Sequence, residues 1–273
     1  MRAHALAALA LSVGAVAGGS AAPIAPEAAA ATISISGSST ALPVVADLAY
    51  FYRRSHRDAP RFSLVGGGTA AGITDTARGV VDAGVVSRAL AASDPPGLVA
   101  TTFALSGVCL VTNRSNALPG LSRAEIQDLV SGRVTTWAQV PGSTRTDAIV
   151  AAGLIPGTGA RTVFISTFLD PATPLAYHPR TFSTADEVRE FVLSTPAAWG
   201  YVDLRYTDGL RTVPYEGLPC ARAAIRSGTY PATRPLAVIT RGAPSGAVAR
   251  FLRWIRTSRV ARDVIATRYL PAS

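Results

Sequence analysis

The sequence predicts an α/β protein with largely parallel sheets, and three observations support this. Short apolar or alternating runs typical of strands are interleaved with segments whose apolar residues recur at helical spacing. Turns rich in glycine and hydroxyl residues join three of the strands to the helices that follow. The 273 residues are 48% hydrophobic and 16% charged, which suits one large domain or two lobes and excludes a disordered chain.

The individual elements follow from local patterns along the chain. Residues 43–54 are a predicted helix because Val44, Leu48 and Phe51 recur on one face. Ser122 and Glu125 have the spacing of a capping box at the start of a helix over 122–132. The other predicted strands lie at 32–36, 61–68, 82–90, 105–113, 148–155, 197–206 and 234–240, and the other predicted helices at 69–79, 160–169, 183–194 and 245–258.

The N-terminus has the pattern of a secretory signal. Arg2 precedes an apolar run at 5–19, and small residues follow it up to position 31. We predict a signal peptide over residues 1–31, cleaved between Ala22 and Ala31, and therefore a secreted or periplasmic protein. The run is short and broken by glycine for a membrane span, and no cysteine follows it, so we expect no lipid anchor of the lipobox kind.

The basic residues are all arginine, 26 in number, and the formal net charge is +9. Such a charge indicates an affinity for anions, surfaces or nucleic acid. Arg250, Arg253 and Arg256, however, alternate with apolar residues as the solvated face of a packed helix does. We therefore predict no nucleic-acid partner.

The cysteines and the absence of cofactor motifs bound the chemistry further. Cys109 and Cys220, the two cysteines of the chain, could form a disulfide in an exported protein or stay buried as small hydrophobic residues. The sequence leaves both possibilities open. It has no spacing typical of a metal site and no nucleotide fingerprint, so we predict neither a metal nor a cofactor.

Three turns carry the chemistry that the sequence predicts. They are GSST at 37–40, GGGT at 66–69 and GTG at 157–159, and a fourth segment places Ser87 and Arg88 after a strand. The carboxyl ends of parallel strands gather such turns at one edge of the sheet. Helix N-termini offer unpaired N–H groups and partial positive charge. The turns therefore predict a site that encloses an anion with hydroxyls and backbone N–H groups.

Two other interpretations of the first turn remain. Serine and threonine are also favoured helix caps. In addition, residues 37–41 nearly match G-x-S-x-G, which would make Ser39 a nucleophile with His178 as the later histidine of a triad. A phosphatase or serine hydrolase on the same scaffold is thus the alternative function. The preferred prediction is binding without catalysis.

The chain also resembles a known family. The segments ISGSSTALP, VGGGTAAGI, DAGVVSRAL, PGTGARTVF and WGYVDLRY occur in the order seen in the phosphate-binding proteins of ABC-type phosphate importers, and SGTYPATRPLAVIT resembles their return segment. The resemblance covers about residues 33–270. It implies a two-lobed, periplasmic-binding-protein-like fold with two crossover strands as the hinge. The implied lobes are 32–111 with 206–273, and 112–205, with the hinge near Val111 and Tyr206.

The resemblance further implies a ligand set and partners. The ligand is inorganic phosphate or another oxyanion, the partner is an ABC-type membrane permease, and the protein is a monomer. The implied ligand-binding residues are Ser38, Ser39, Thr40, Thr69, Ser87, Arg88, Thr158, Gly159, Ala160 and Arg161.

Three positions depart from the family pattern. Ala160 stands in place of a threonine, Ser87 in place of a common aspartate, and Leu154 where many members carry an arginine that pairs with phosphate. The loss of a charge-assisted donor leaves open a different oxyanion, or a binding or sensing module without phosphate affinity. Arg88 or Arg161 could compensate for it.

Overall fold

The computed structural model describes residues 31–173 and 180–272. Residues 1–30 of the predicted signal segment, and His178, lie outside the described residues. No helix in the described parts combines the length and the apolar character needed to cross a membrane.

The described residues contain ten strands and eight α-helices. The first part contains β1 (Thr32–Gly37), α1 (Leu42–Ser55), β2 (Arg61–Gly66), α2 (Gly68–Arg78), β3 (Ala83–Val86) and β4 (Leu98–Thr112). The middle part contains α3 (Arg123–Ser131), β5 (Val150–Leu154), α4 (Gly159–Phe168), β6 (Arg180–Phe182), α5 (Ala185–Ser194) and β7 (Ala198–Asp203). The last part contains β8 (Arg211–Val213), α6 (Arg222–Ser227), β9 (Thr233–Arg241), α7 (Gly246–Thr257), α8 (Arg259–Ala266) and β10 (Leu270–Pro271).

Most predicted elements are present, with differences at their ends. The helix predicted over 245–258 is followed by a second one, α8, because the hydroxyl of Ser258 accepts from the N–H of Ala261 and starts a new helix. The strand predicted over 197–206 ends at Asp203, and a 3-10 turn over Leu204–Tyr206 follows it. The capping box of Ser122 and Glu125 is confirmed.

The sheet is mixed, with the order β2-β1-β3-β9-β4-β7-β5-β6 and with β8 and β10 both paired with β4. The β1–β2, β1–β3, β5–β6 and β5–β7 pairs are parallel. The five antiparallel pairs all involve β4 or β9. Parallel pairs therefore occur only among β1–β3 and among β5–β7, because the long strands β4 and β9 run antiparallel to their neighbours.

Strand β4 connects two hydrophobic cores. Its partner changes from β9 at Gly107 to β7 at Val108, which lies three residues before the predicted crossing near Val111. The first core lies under α1, α7 and α8, and the second lies among α3, α4, α5 and β5–β8. The segment 213–232 packs in the second core, through Val213, Ile225 and Tyr230 among others. By packing, the chain thus returns to the first core near residue 233, rather than near Tyr206.

The first core has helices on both faces of its sheet. Val85 and Val238 pack toward α1, α7 and α8, whereas their neighbours Val86 and Ile239 pack toward α2. Since successive strand residues point to opposite faces, the two groups of helices cover opposite faces.

The two cysteines form a disulfide. Cys109 lies in β4 and Cys220 between β8 and α6, with Cα atoms 5.5 Å apart. Of the two possibilities that the sequence leaves open, the structure shows the covalent one. The bond fastens the segment after β8 to the strand that connects the two cores.

Candidate functional site

The predicted turns lie at one edge of the molecule. Parallel pairing places Gly37 at the end of β1 beside Gly66 of β2 and Val85 of β3, so the residues that follow these strands lie together. The turn after β5, from the second core, contacts this group, because the N–H of Ala70 donates to the carbonyl of Gly157 at 3.2 Å. The edge therefore combines donors from both cores.

The GSST turn divides its hydroxyls between two uses. Ser38 has a structural role: its N–H donates to Val85 O at 2.8 Å, and its hydroxyl accepts from Ala41 N–H at 3.3 Å. The side chains of Ser39 and Thr40 have no hydrogen-bond partner among the described residues. The Thr40 carbonyl accepts from the hydroxyl of Tyr269 at 2.7 Å, and burial raises the pKa of Tyr269 to about 12, which keeps that donor protonated. Ser39 and Thr40 thus carry the hydroxyls of this turn that no described residue engages.

Thr69 and Ser87 form a buried hydroxyl pair. Their Oγ atoms lie 3.1 Å apart, and the N–H of Ser87 donates to Thr69 Oγ1 at 3.2 Å. Only 1% of Thr69 and none of Ser87 is exposed. These bonds fix both side chains next to the first turn.

A buried ion pair supports Ser87 from behind. The guanidinium of Arg234 donates to the Ser87 carbonyl at 2.7 Å and forms a fully buried salt bridge with Asp203, which also accepts from Ser106. Burial lowers the pKa of Arg234 to about 10, because it takes the guanidinium out of water. Arg234 Nε has no partner among the described residues. Ser106, Asp203 and Arg234 lie where the chain passes between the two cores. Their hydrogen-bond network therefore connects this passage to the edge where the predicted turns lie.

Helix α4 brings the second core to the same edge. The hydroxyl of Thr158 donates to the carbonyl of Ile155 at 3.0 Å and does not cap the helix. Gly159 lies so close to the hydroxyl pair that an added Cβ would overlap Ser87 Oγ and lie 2.9 Å from Thr69 Oγ1. Only glycine, which has no Cβ, allows the start of α4 to come this close to the hydroxyl pair. This close approach is needed if the backbone N–H groups of α4 are to face a ligand held by the other core.

The helices at this edge begin without side-chain caps. That holds for α1, α2 and α4, whereas α3 and α5 have complete capping boxes. The short helix α6 and the longer helix α7 also lack side-chain caps. Three N-termini at one edge concentrate partial positive charge there, and α2 and α4 add unpaired N–H groups. At α1 the N–H groups of Ala41 and Leu42 bond to Ser38, and Pro43 has none.

The arginines of the predicted set differ in their partners. Arg88 forms two 2.7 Å hydrogen bonds to the carboxylate of Asp94, and this contact lowers the pKa of Asp94. Its guanidinium is thus already engaged. Arg161 donates to the carbonyl of Leu154 at 2.9 Å and has no carboxylate partner among the described residues. Leu154 itself points into the second core and is 2% exposed.

The triad interpretation stays untested, because its histidine, His178, lies outside the described residues, and the described histidine, His56, lies far from Ser39. His56 packs against Tyr52, with ring centroids 4.4 Å apart, at the C-terminal end of α1. Ser39 precedes the N-terminal end of the same helix, so the two are separated by its whole length. In the described parts of the chain no group of three or more His, Cys, Asp or Glu side chains could hold a metal ion.

The comparison with known proteins is consistent with this arrangement. A sequence profile of the PBP superfamily domain matches residues 23–259. The chain belongs to this superfamily. Among its relatives, the phosphate-binding protein PstS of Bacillus subtilis is 23% identical over 253 residues, covering 90% of this chain and 83% of that protein. PstS 2 of Streptococcus pneumoniae is 31% identical over 108 residues, or 40% of this chain and 37% of that one.

Solved structures confirm the predicted fold. A phosphate ABC transporter substrate-binding protein of Clostridium perfringens superposes with a TM-score of 0.81 at 24% identity, covering 89% of this chain and 99% of that one. A phosphate transport receptor of Vibrio cholerae gives 0.73 at 23% identity, with coverage of 87% and 99%. The predicted resemblance is thereby confirmed.

Proposed function

We propose that this chain is an exported solute-binding protein that encloses inorganic phosphate between two lobes and presents it to an ABC-type permease. One observation carries the proposal: hydroxyls and three uncapped helix N-termini from both cores meet at one edge. Such a set binds an oxyanion without needing a dedicated cation. The named relatives are phosphate-binding proteins, which favours phosphate among the oxyanions. The protein would act as a monomer and without catalysis.

The lobes follow the two cores in this proposal. Lobe one comprises residues 32–107 and 233–272, and lobe two comprises 108–232, since 213–232 pack in the second core. The ligand would lie between the GSST turn and the α4 N-terminus. Ser38 would shape the turn, Ser39 and Thr40 would donate hydroxyls, and Thr69 and Ser87 would line the wall.

The missing arginine at position 154 has a candidate replacement. The guanidinium of Arg161 reaches back to the Leu154 carbonyl, at the C-terminal end of β5, and lies at the start of α4. We expect it to supply the positive charge, whereas Arg88 would stabilise its loop through Asp94. Ala160 has no hydroxyl and offers only its backbone N–H. The hydroxyl of Thr158 donates to the carbonyl of Ile155, so Gly159 and Ala160 would act as backbone donors.

The test is calorimetric titration of the mature protein, stripped of ligand by partial unfolding, with phosphate, arsenate and sulfate in turn. Binding of phosphate and arsenate without sulfate is expected. Ser39→Ala should weaken phosphate binding by about 1–3 kcal/mol, because it removes a donor to a buried charged acceptor. Ser166→Ala, on the exposed side of α4, is the matched control and should bind normally. No heat from any anion, with a folded protein, would contradict phosphate binding and favour the alternative of a module that has lost its affinity.

A further inference from the structure

Most of the excess positive charge of the chain lies on three helices of lobe one. Within residues 42–58 and 246–268 there are nine arginines and three aspartates, a formal excess of six out of the nine positive charges that the chain carries. We call this surface the basic layer. Its arginines are Arg53, Arg54, Arg57, Arg250, Arg253, Arg256, Arg259, Arg262 and Arg268.

The arginines face the same side of the molecule. Helices α1, α7 and α8 pack against one another and all bury their apolar sides in the first core. They therefore cover one face of the sheet, and their solvent sides form a single surface. Eight of the nine arginines are exposed, and Arg268 is half-buried.

The charges of the basic layer are largely unneutralised. Arg268 pairs with Asp47 at 2.9 Å, and Arg259 lies 4.0 Å from Asp263 in a fully solvated pair. The other seven arginines have no carboxylate partner among the described residues. A solvated surface gains nothing from such self-repulsion, so a partner of opposite charge would stabilise it.

Apolar side chains are exposed within the same surface. Tyr50 is 56% exposed, Phe51 39% and Val260 48%. Phe51 and Val260 border a groove between α1 and α8 that also contains Asp47 and Asp263, the two carboxylates that pair with Arg268 and Arg259. Arg54 stacks over the ring of Tyr50, 5.7 Å from its centroid. Aromatic rings next to arginines suit the interface of a bilayer, where the rings enter the headgroup region and the guanidinium groups meet phosphates. A nucleic-acid groove would use the charge but would leave Phe51 and Val260 unexplained.

We infer that the basic layer binds the surface of an anionic lipid bilayer through headgroup phosphates. The binding edge lies at the ends of the strands, whereas the basic layer covers a face of the sheet, so both can be occupied at once. The inference rests on export to a membrane surface and is independent of phosphate binding. Its effect is to keep the protein close to the membrane.

The experiment is co-sedimentation of the mature chain with vesicles of phosphatidylcholine alone and with added phosphatidylglycerol, at low and high NaCl. The test variant is Arg250→Gln/Arg253→Gln/Arg256→Gln, all on the exposed side of α7. The control is Arg78→Gln/Arg211→Gln/Arg226→Gln, which removes the same charge from exposed positions outside the layer. Circular dichroism and phosphate titration of each variant check that the fold and the ligand site are unaltered.

We expect binding only to vesicles with phosphatidylglycerol, weakened by salt. Each arginine should change the partition coefficient about fivefold, so the loss of three in the test variant should lower it roughly 100-fold. The control should bind like the unaltered protein. Equal losses in both variants, or no binding at low salt, would overturn the inference. Binding to random duplex DNA as tight as to the vesicles, with the same loss in the test variant, would also overturn it in favour of a general polyanion site.

Discussion

Adding one methyl group at Gly159 should separate ligand binding from folding. An alanine Cβ there would overlap Ser87 Oγ, and it would lie 2.9 Å from Thr69 Oγ1 and 2.8 Å from the Ser87 carbonyl. Gly159 belongs to the second core, whereas Thr69 and Ser87 border the first. In the proposed two-lobed arrangement the overlap would be relieved when the lobes move apart, so that only the closed arrangement would be destabilised.

The size of the effect follows from the packing. Inserting a methyl group into a well-packed site costs about 1–3 kcal/mol, because the two hydroxyls are buried and hydrogen-bonded to each other. If closure is coupled to binding, Gly159→Ala weakens phosphate binding roughly 5- to 150-fold. The free energy of unfolding should not fall, because position 159 is the first residue of α4, where alanine favours the helix more than glycine does.

The assay pairs phosphate titration with urea unfolding, for Gly159→Ala and for a matched control. Gly66→Ala adds the same methyl group at the end of β2, where nothing lies within 4 Å of the new atom. Unaltered affinity in Gly159→Ala would refute the inter-lobe approach. Because Gly66 belongs to the GGGT turn of the same edge, a parallel loss of affinity in Gly66→Ala would attribute the effect to altered turns at this edge rather than to contact between the two cores.

Three further predictions concern stability, each measured by urea unfolding. Replacing Cys109 and Cys220 with alanine should lower the free energy of unfolding by about 2–5 kcal/mol, because the bond closes a long loop, and a smaller loss would show that the reduced chain is already constrained. Arg234→Met should cost about 3–5 kcal/mol by leaving a buried carboxylate unpaired, while Arg234→Met with Asp203→Leu should recover much of that loss; equal costs would contradict the ion-pair account. Asp94→Asn should lower the free energy of unfolding by about 1–3 kcal/mol at neutral pH. Because folding lowers the pKa of Asp94, the stabilisation by its carboxylate is present above the ordinary pKa of 3.8 and is lost as the pH falls through the folded pKa. The difference in stability between variant and parent should therefore shrink in acid.

The turns of the binding edge could be predicted because their signals are local. Glycine and hydroxyl residues between a strand and a helix specify a turn and a helix start without reference to distant residues. The alternation of Arg250, Arg253 and Arg256 with buried residues was equally local, and their exposure is confirmed. The same locality explains why the capping box at Ser122 was found.

The support behind the site could not be predicted in the same way. Ser106 and Asp203 are 97 residues apart, and Arg234 follows Asp203 by 31, so no local pattern joins them. One signal was present: Arg234 comes directly before the apolar run at 235–239 of β9, and a buried arginine needs a buried acid. The hydroxyl of Thr158 was similarly ambiguous, because its choice between a ligand and the carbonyl of Ile155 depends on the turn conformation.

The position of β9 has a consequence for how the chain folds. It lies between β3 and β4, and its residues pair with partners that are 126 (Gly107 with Thr233) to 155 (Gly84 with Ile239) positions away in sequence. Residues 32–107 therefore cannot complete their sheet until the C-terminal quarter of the chain has left the ribosome or the translocation pore. Folding of this lobe must close a very long loop, which slows it, and the intervening residues can fold first. The export that we propose would be helped by such a delay, because an exported polypeptide crosses the membrane before it folds.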